Sequence, residues 1–154
     1  MKIESTGTNY LVVISDLHCG CQFGLCPPGK IKLDGGGSYA FSEGQKKVWG
    51  YWQRFWHSFV PNIVGSHPYS IVLNGDAMDG RHHDATTLVS GNLSDQLTIA
   101  REAVYPEILR AKQGGGYFYY IRGTEAHGGK AGEIEERLAC ELGAIPSYQS
   151  AFSE

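Results

Sequence analysis

Two apolar stretches, Tyr10 to Ile14 and Ser70 to Asn74, each run straight into polar side chains, and this pairing constrains the fold more than anything else in the chain. The first is followed by Asp16 and His18, the second by Gly75, Asp76 and Asp79. Short apolar runs bounded by turn residues read as buried strands. Residues two apart in an extended segment project to the same side, so Asp16 and His18 are placed to hold one cation between them. Gly75 lets the backbone turn sharply just before Asp76. A carboxylate has two oxygens, so Asp76 is able to bridge two cations. Such bridging suits two-metal phosphoryl chemistry, with ions roughly 3.5–4 Å apart.

A third strand is expected at Tyr117 to Ile121, running into Arg122 and the stretch Gly123 to His127. Glu43 to Val60 reads as a helix, with Ser42 as its N-cap and Pro61 marking its end. On that helix Val48, Trp52, Phe55 and Phe59 recur at helical spacing, and Trp49 and Trp56 widen the stripe. The spacing makes the tryptophans core residues rather than a platform for stacking bases. Leu93 to Lys112 reads as a second helix, with a kink or break at Pro106 and a stop at Gly114. A last helix covers about Gly132 to Leu142. The stretch from Cys19 to Ser42, rich in Pro and Gly, is expected to be a long irregular functional loop. This alternation of strands and helices implies an α/β fold, a mainly parallel sheet with flanking helices. All three polar clusters then fall at strand carboxyl ends, where ligands bind in open α/β sheets.

With 154 residues, 42% of them hydrophobic, the chain is expected to form a single globular domain over residues 1–154. No apolar run approaches the ~18 residues of a membrane-spanning helix, and the N-terminus lacks the apolar segment of a secretory signal. A cytoplasmic location is the expectation. The net charge of −3, without a run of Lys and Arg, lacks the footprint of a dedicated nucleic-acid binder. Nucleic acid is not thereby excluded as a substrate, because bound metal ions add local positive charge. Cys19, Cys21 and Cys26 beside His18 match no common zinc spacing, and read as reduced thiols. The glycine runs at Gly35 and Gly114 lack the Lys-Ser/Thr ending of a P-loop. A serine-hydrolase elbow is also missing. His82 and His83 read most simply as solvated loop residues, the alternative being that one of them reaches the site as a substitute ligand.

Asp16 and His18 as Asp-x-His, Gly75, Asp76 and Asp79 as Gly-Asp-x-x-Asp, and the Gly-led cluster at Gly123 occur in this order, and together the chain resembles the calcineurin-like metallophosphoesterases, in the compact style common in phage and bacterial genomes. The resemblance covers about the first 130 residues and implies the N-terminal part of an α/β/β/α sandwich. It implies Asp16 and His18 on one metal, Asp76 bridging two, and Asp79 supporting the site through hydrogen bonds. The family's Gly-Asn-His triplet is replaced here by Gly123, Thr124, Glu125, Ala126 and His127. One alignment places Thr124 and Glu125 at the Asn and His positions. The other, preferred because it preserves the chemistry, makes Glu125 a metal ligand and His127 the acid for the leaving group. The resemblance further implies two divalent ions, hydrolysis of a phosphodiester or phosphomonoester by a metal-activated hydroxide, and a location in a bacterium or a phage-infected host. Mixed Asp and His donors suit Mn, Fe or Zn, with Mg also compatible, and Arg81 and Arg122 read either as clamps on a phosphate or as surface-paired cations. No histidine follows His127, so the family's C-terminal His motifs are missing. A truncated gene product, a minimal form, and a site completed by another chain all account for this, truncation being favoured. A weakly active fragment and a homodimer are the corresponding expectations, the latter because an uncovered sheet edge pairs readily.

Overall fold

The structure is a computed structural model describing residues 10–81, 86–124 and 133–145. In chain order its elements are β1 (Tyr10–Ile14), β2 (Lys30–Lys32), β3 (Ser38–Ala40), α1 (Glu43–Arg54), a π-helical turn (Phe55–Phe59), α2 (Val60–Val64), β4 (Tyr69–Asn74), α3 (Leu93–Gln113), β5 (Phe118–Ile121) and α4 (Glu133–Glu141). β1, β4 and β5 form a parallel sheet in the order β1-β4-β5, flanked by helices. The α/β architecture with a parallel sheet is therefore present as expected.

Register decides which face of the sheet is core. Ile14 pairs with Leu73, and Leu73 with Tyr120; all three are buried, together with Ile71 and Phe118. Against them lie Leu97, Ala100, Val104 and Ile108 of α3, and Leu138 of α4 joins the same cluster. The opposite face carries Val13, paired with Val72, which pairs in turn with Tyr119. Here Leu11 and Val13 are 58% and 55% exposed and Tyr119 is 37% exposed. A strand apolar at five consecutive positions suits burial on both sides. Among the described residues, β1 is covered on only one, and it also forms an edge of the sheet.

Ser42 starts α1 with a capping box: its hydroxyl accepts from the Gln45 amide at 3.1 Å, and the Gln45 side chain accepts from the Ser42 amide at 2.9 Å. Trp52 and Trp56 are buried and Val48, Trp49 and Phe55 pack partly buried against the core, but Phe59, expected in the same stripe, is 58% exposed because the π turn rotates it off that face. The expected stop at Pro61 is overturned. The helical path instead widens to a π turn over Phe55–Phe59, where the Val60 amide bonds to the Phe55 carbonyl, and continues to Val64. Pro61 then sits at the start of the next α-segment, where a missing N–H costs little. Pro106 does not break its helix either; α3 runs 21 residues through it, held by its buried face. Cys19 to Ser42 is irregular only in part. It contains the antiparallel hairpin β2–β3 and anchors itself through buried Leu25, Cys26 and Ile31.

Candidate functional site

Beyond the sheet, the chain after β1 stays alongside the chain after β4. The Asp16 amide bonds to the Gly75 carbonyl at 3.3 Å, the His18 amide to the Asp76 carbonyl at 3.1 Å, and the Cys19 amide to the Ala77 carbonyl at 2.9 Å. This ladder brings the first two sequence motifs together at one end of the sheet. It also imposes an unusual backbone. Among the described residues, the non-glycine residues with positive φ are Asp16 (54°), His18 (44°) and Asp76 (50°). Each such residue costs on the order of 1–2 kcal/mol relative to a right-handed conformation. Strain of this kind persists only where the surroundings enforce it, and it clusters at functional sites.

The side chains follow from that backbone. His18 Nδ1 lies 3.1 Å from Asp79 Oδ1, and its Nε2 lies 3.9 Å from Asp16 Oδ1. With the proton on Nδ1 and donated to Asp79, the Nε2 lone pair is presented on the Asp16 side. A contact of this kind is how ligating imidazoles are commonly oriented, by donating their other N–H to a carboxylate. Next to Asp16 and His18 opens an apolar groove of about 540 Å³, lined among others by Val13, Val48, Tyr51, Trp52 and Phe55.

The third cluster meets the second through two glycines. A Cβ on Gly75, whose φ is 72°, would stand 2.6 Å from Gly123 Cα; one on Gly123 would stand 2.4 Å from both the amide N and Oδ1 of Asp76. Only glycine at both positions permits this approach. The next residue, Thr124, donates both its amide (2.9 Å) and its hydroxyl (3.1 Å) to Asp76 Oδ1. Thr124 therefore holds Asp76 from the position that one alignment assigned to the family's Asn.

Below this contact lies a residue that sequence reading missed. Glu135, buried in the first turn of α4, accepts from the Gly123 amide at 2.9 Å and from the Tyr120 hydroxyl at 3.1 Å. Burial raises its carboxyl above the ordinary carboxylate value. The Asp76 charge adds to the rise, and the bonds from Gly123 and Tyr120 and the Arg122 charge oppose it. The available signal was an acidic residue in register with the apolar positions Leu138, Ala139 and Leu142.

Whether these residues suit a divalent cation is a matter of donor chemistry and spacing. A carboxylate and an imidazole each about 2.1 Å from one ion stand roughly 3.0–3.4 Å apart at octahedral or tetrahedral angles. Asp16 and His18, at 3.9 Å, meet that with a modest side-chain movement. They fit as the first two donors of a site. Among the described residues, no group of three or more His, Cys, Asp and Glu side chains is gathered to hold a metal. Glu125 and His127, together with His82 and His83, lie outside the described residues. Arg81 is exposed, and its Nε donates to the Gly91 carbonyl at 2.8 Å. Burial and the neighbouring Cys26 push the Cys19 thiol far up, and burial followed by the Glu102 charge pushes Cys26 up to about 11. No helix among the described residues is long and apolar enough to cross a membrane. The chain matches no family model, and neither the curated proteins nor the solved structures contain a significant match to it.

Proposed function

We propose that the protein is a metal-dependent phosphoesterase of the calcineurin-like type, acting on a phosphodiester, nucleic acid included, or on a phosphomonoester. One observation carries this reading. Among the described residues, the non-glycine residues held at positive φ are Asp16, His18 and Asp76, and these are three of the four positions that the resemblance assigns to metal. In the proposed mechanism Asp16, His18 and Asp76 would hold the divalent ions, and Glu125 would supply a further ligand. Mn, Fe or Zn suits this mixed donor set, and Mg is also compatible. Bound ions supply the charge that acidifies water and stabilises a phosphoryl group in transfer. Asp79 keeps the His18 imidazole in one tautomer, and Thr124 fixes one oxygen of Asp76. Arg81 would add positive charge beside the phosphate oxygens, and His127 would protonate the leaving oxygen. The test is hydrolysis of bis-p-nitrophenyl phosphate with Mn²⁺. Turnover well above an Asp76→Asn control is expected, and no difference between the two sinks the reading.

A second reading is supported by the open face of β1. Leu11 and Val13 present apolar side chains on an edge strand that has no charge and no proline to discourage pairing. In this reading the chain is a weakly active half-domain completed by another chain, most simply a second copy in a two-fold dimer. Light scattering at micromolar concentration tests it, and a clean monomer of 16.9 kDa would rule out self-completion. Metal analysis separates the readings further, because two tightly held ions per isolated chain would contradict the half-domain.

A further inference from the structure

We propose that Glu135 is a positioning residue for the Asp76 carboxylate, acting from α4 through the backbone of Gly123 and Thr124. The inference rests on Asp76 being a metal ligand. Asp76 Oδ1 accepts two hydrogen bonds, both from Thr124. Thr124 follows β5 by three residues, so what holds it in place matters. Its neighbour Gly123 is wedged between two carboxylates: an added Cβ there would stand 2.4 Å from Asp76 Oδ1 on one side and 2.9 Å from Glu135 Oε1 on the other. The Gly123 amide is donated to Glu135 Oε2 at 2.9 Å, and the Tyr120 hydroxyl holds the other oxygen at 3.1 Å. Glu135 thus ties the strand residue Tyr120 and the loop residue Gly123 to one rigid group on a helix. The helix is itself anchored: Leu138, Ala139 and Leu142 are in the core, and just beyond it the Ile145 amide bonds to the Phe118 carbonyl at 3.0 Å. Burying a carboxylate on an otherwise apolar helix face is costly. Leucine at this position would pack without that cost and would leave the Gly123 amide without its acceptor.

Three variants and two readouts test this. Glu135→Ala removes both acceptors, and Glu135→Asp withdraws the carboxylate by one methylene if the alanine variant folds poorly. Glu135→Gln keeps the shape, with its carbonyl accepting from Gly123 and its amide donating to the Tyr120 oxygen. The first readout is amide hydrogen exchange in metal-free protein. Ala and Asp variants should speed exchange at Gly123 and Thr124 by about tenfold or more while leaving Val104 in α3 within about twofold, and Gln should restore the slow exchange. Unchanged exchange at Thr124 in both variants, or equal acceleration at Val104, overturns the proposal. The second readout is Mn²⁺ affinity by calorimetry, expected to fall about 10–100-fold for Ala and Asp and about threefold or less for Gln. Wild-type affinity in the Ala and Asp variants also overturns it. If the wild type and Asp76→Asn bind Mn²⁺ equally, it is the metal reading that fails, and the exchange data alone decide whether Glu135 braces the Thr124–Asp76 contact.

Discussion

Replacing Gly75 with alanine would put a methyl group into the contact on which the second and third polar clusters depend. The new Cβ would stand 2.6 Å from Gly123 Cα and 3.2 Å from the Arg122 carbonyl oxygen, and both neighbours are backbone. Nothing flexible can swing aside, so β4 and β5 must separate at their ends. Holding alanine at a φ of 72° adds a conformational term. The left-handed conformation costs about 1–2 kcal/mol and the overpacking about 1–3 kcal/mol, so a loss of roughly 2–5 kcal/mol is expected. With a urea dependence of about 2 kcal/mol/M, the unfolding midpoint should fall by roughly 1–2.5 M. Fluorescence reports it, because Trp52 and Trp56 are buried. Gly123→Ala isolates the steric part, since Gly123 is not at positive φ; it should cost about 1–3 kcal/mol and also displace Asp76, which its Cβ would contact at 2.4 Å. Gly50→Ala is the control. It lies within α1 with nothing within 4 Å of an added Cβ, and should stabilise by roughly 0.5–1 kcal/mol. A midpoint shift below about 0.3 M for Gly75→Ala, on the same urea dependence, would refute the claim that the two strand ends are held in contact here.

Asp79→Ala removes the partner of His18 Nδ1; Mn²⁺ affinity measured by calorimetry should drop about 10–100-fold, with unfolding barely shifted, and unaltered affinity would remove Asp79 from the site. Glu107, buried in α3 beside His57 and Arg110, has a carboxyl raised by burial against the opposing charges of Arg110 and His57. The folded state therefore holds that proton more tightly than the unfolded chain, and ionisation of Glu107 weakens the fold as pH rises from the ordinary carboxylate value through the raised one. Glu107→Gln should accordingly gain stability relative to wild type as pH rises above 4.5 in urea titrations, and a trend of opposite sign would contradict the assignment. At pH 8 a disulfide reagent should label exposed Cys140 first and Cys21 more slowly, while buried Cys19 and Cys26 react only on unfolding; prompt labelling of Cys19 or Cys26 in the folded protein would show that they are accessible.

The sequence by itself determined the three strands of the parallel sheet and most of the helices, because their signals are local. Apolar runs at Tyr10 to Ile14 and Ser70 to Asn74, the helical spacing of Trp52 and Trp56, and the cap at Ser42 each depend on a few neighbouring residues. The same locality made Asp16, His18, Asp76 and Asp79 legible as a cluster, since a parallel sheet carries the ends of its strands to one place. Local rules failed where packing overrode them. From sequence, Pro61 marks a helix end and Pro106 a kink or a break, but a π turn absorbs the first and a buried face carries the helix unbroken past the second. Apolar anchors at Leu25 and Ile31 likewise turned an expected loop into a hairpin. Only the tertiary structure decided that Asp16, His18 and Asp76 take left-handed backbone, that Gly75 and Gly123 touch, and that Thr124 and Glu135 brace Asp76. These are contacts between residues 12 to 48 positions apart. No periodicity encodes them, because they exist only once the strands have been laid side by side and the loop backbones have been forced into hydrogen bonds with one another.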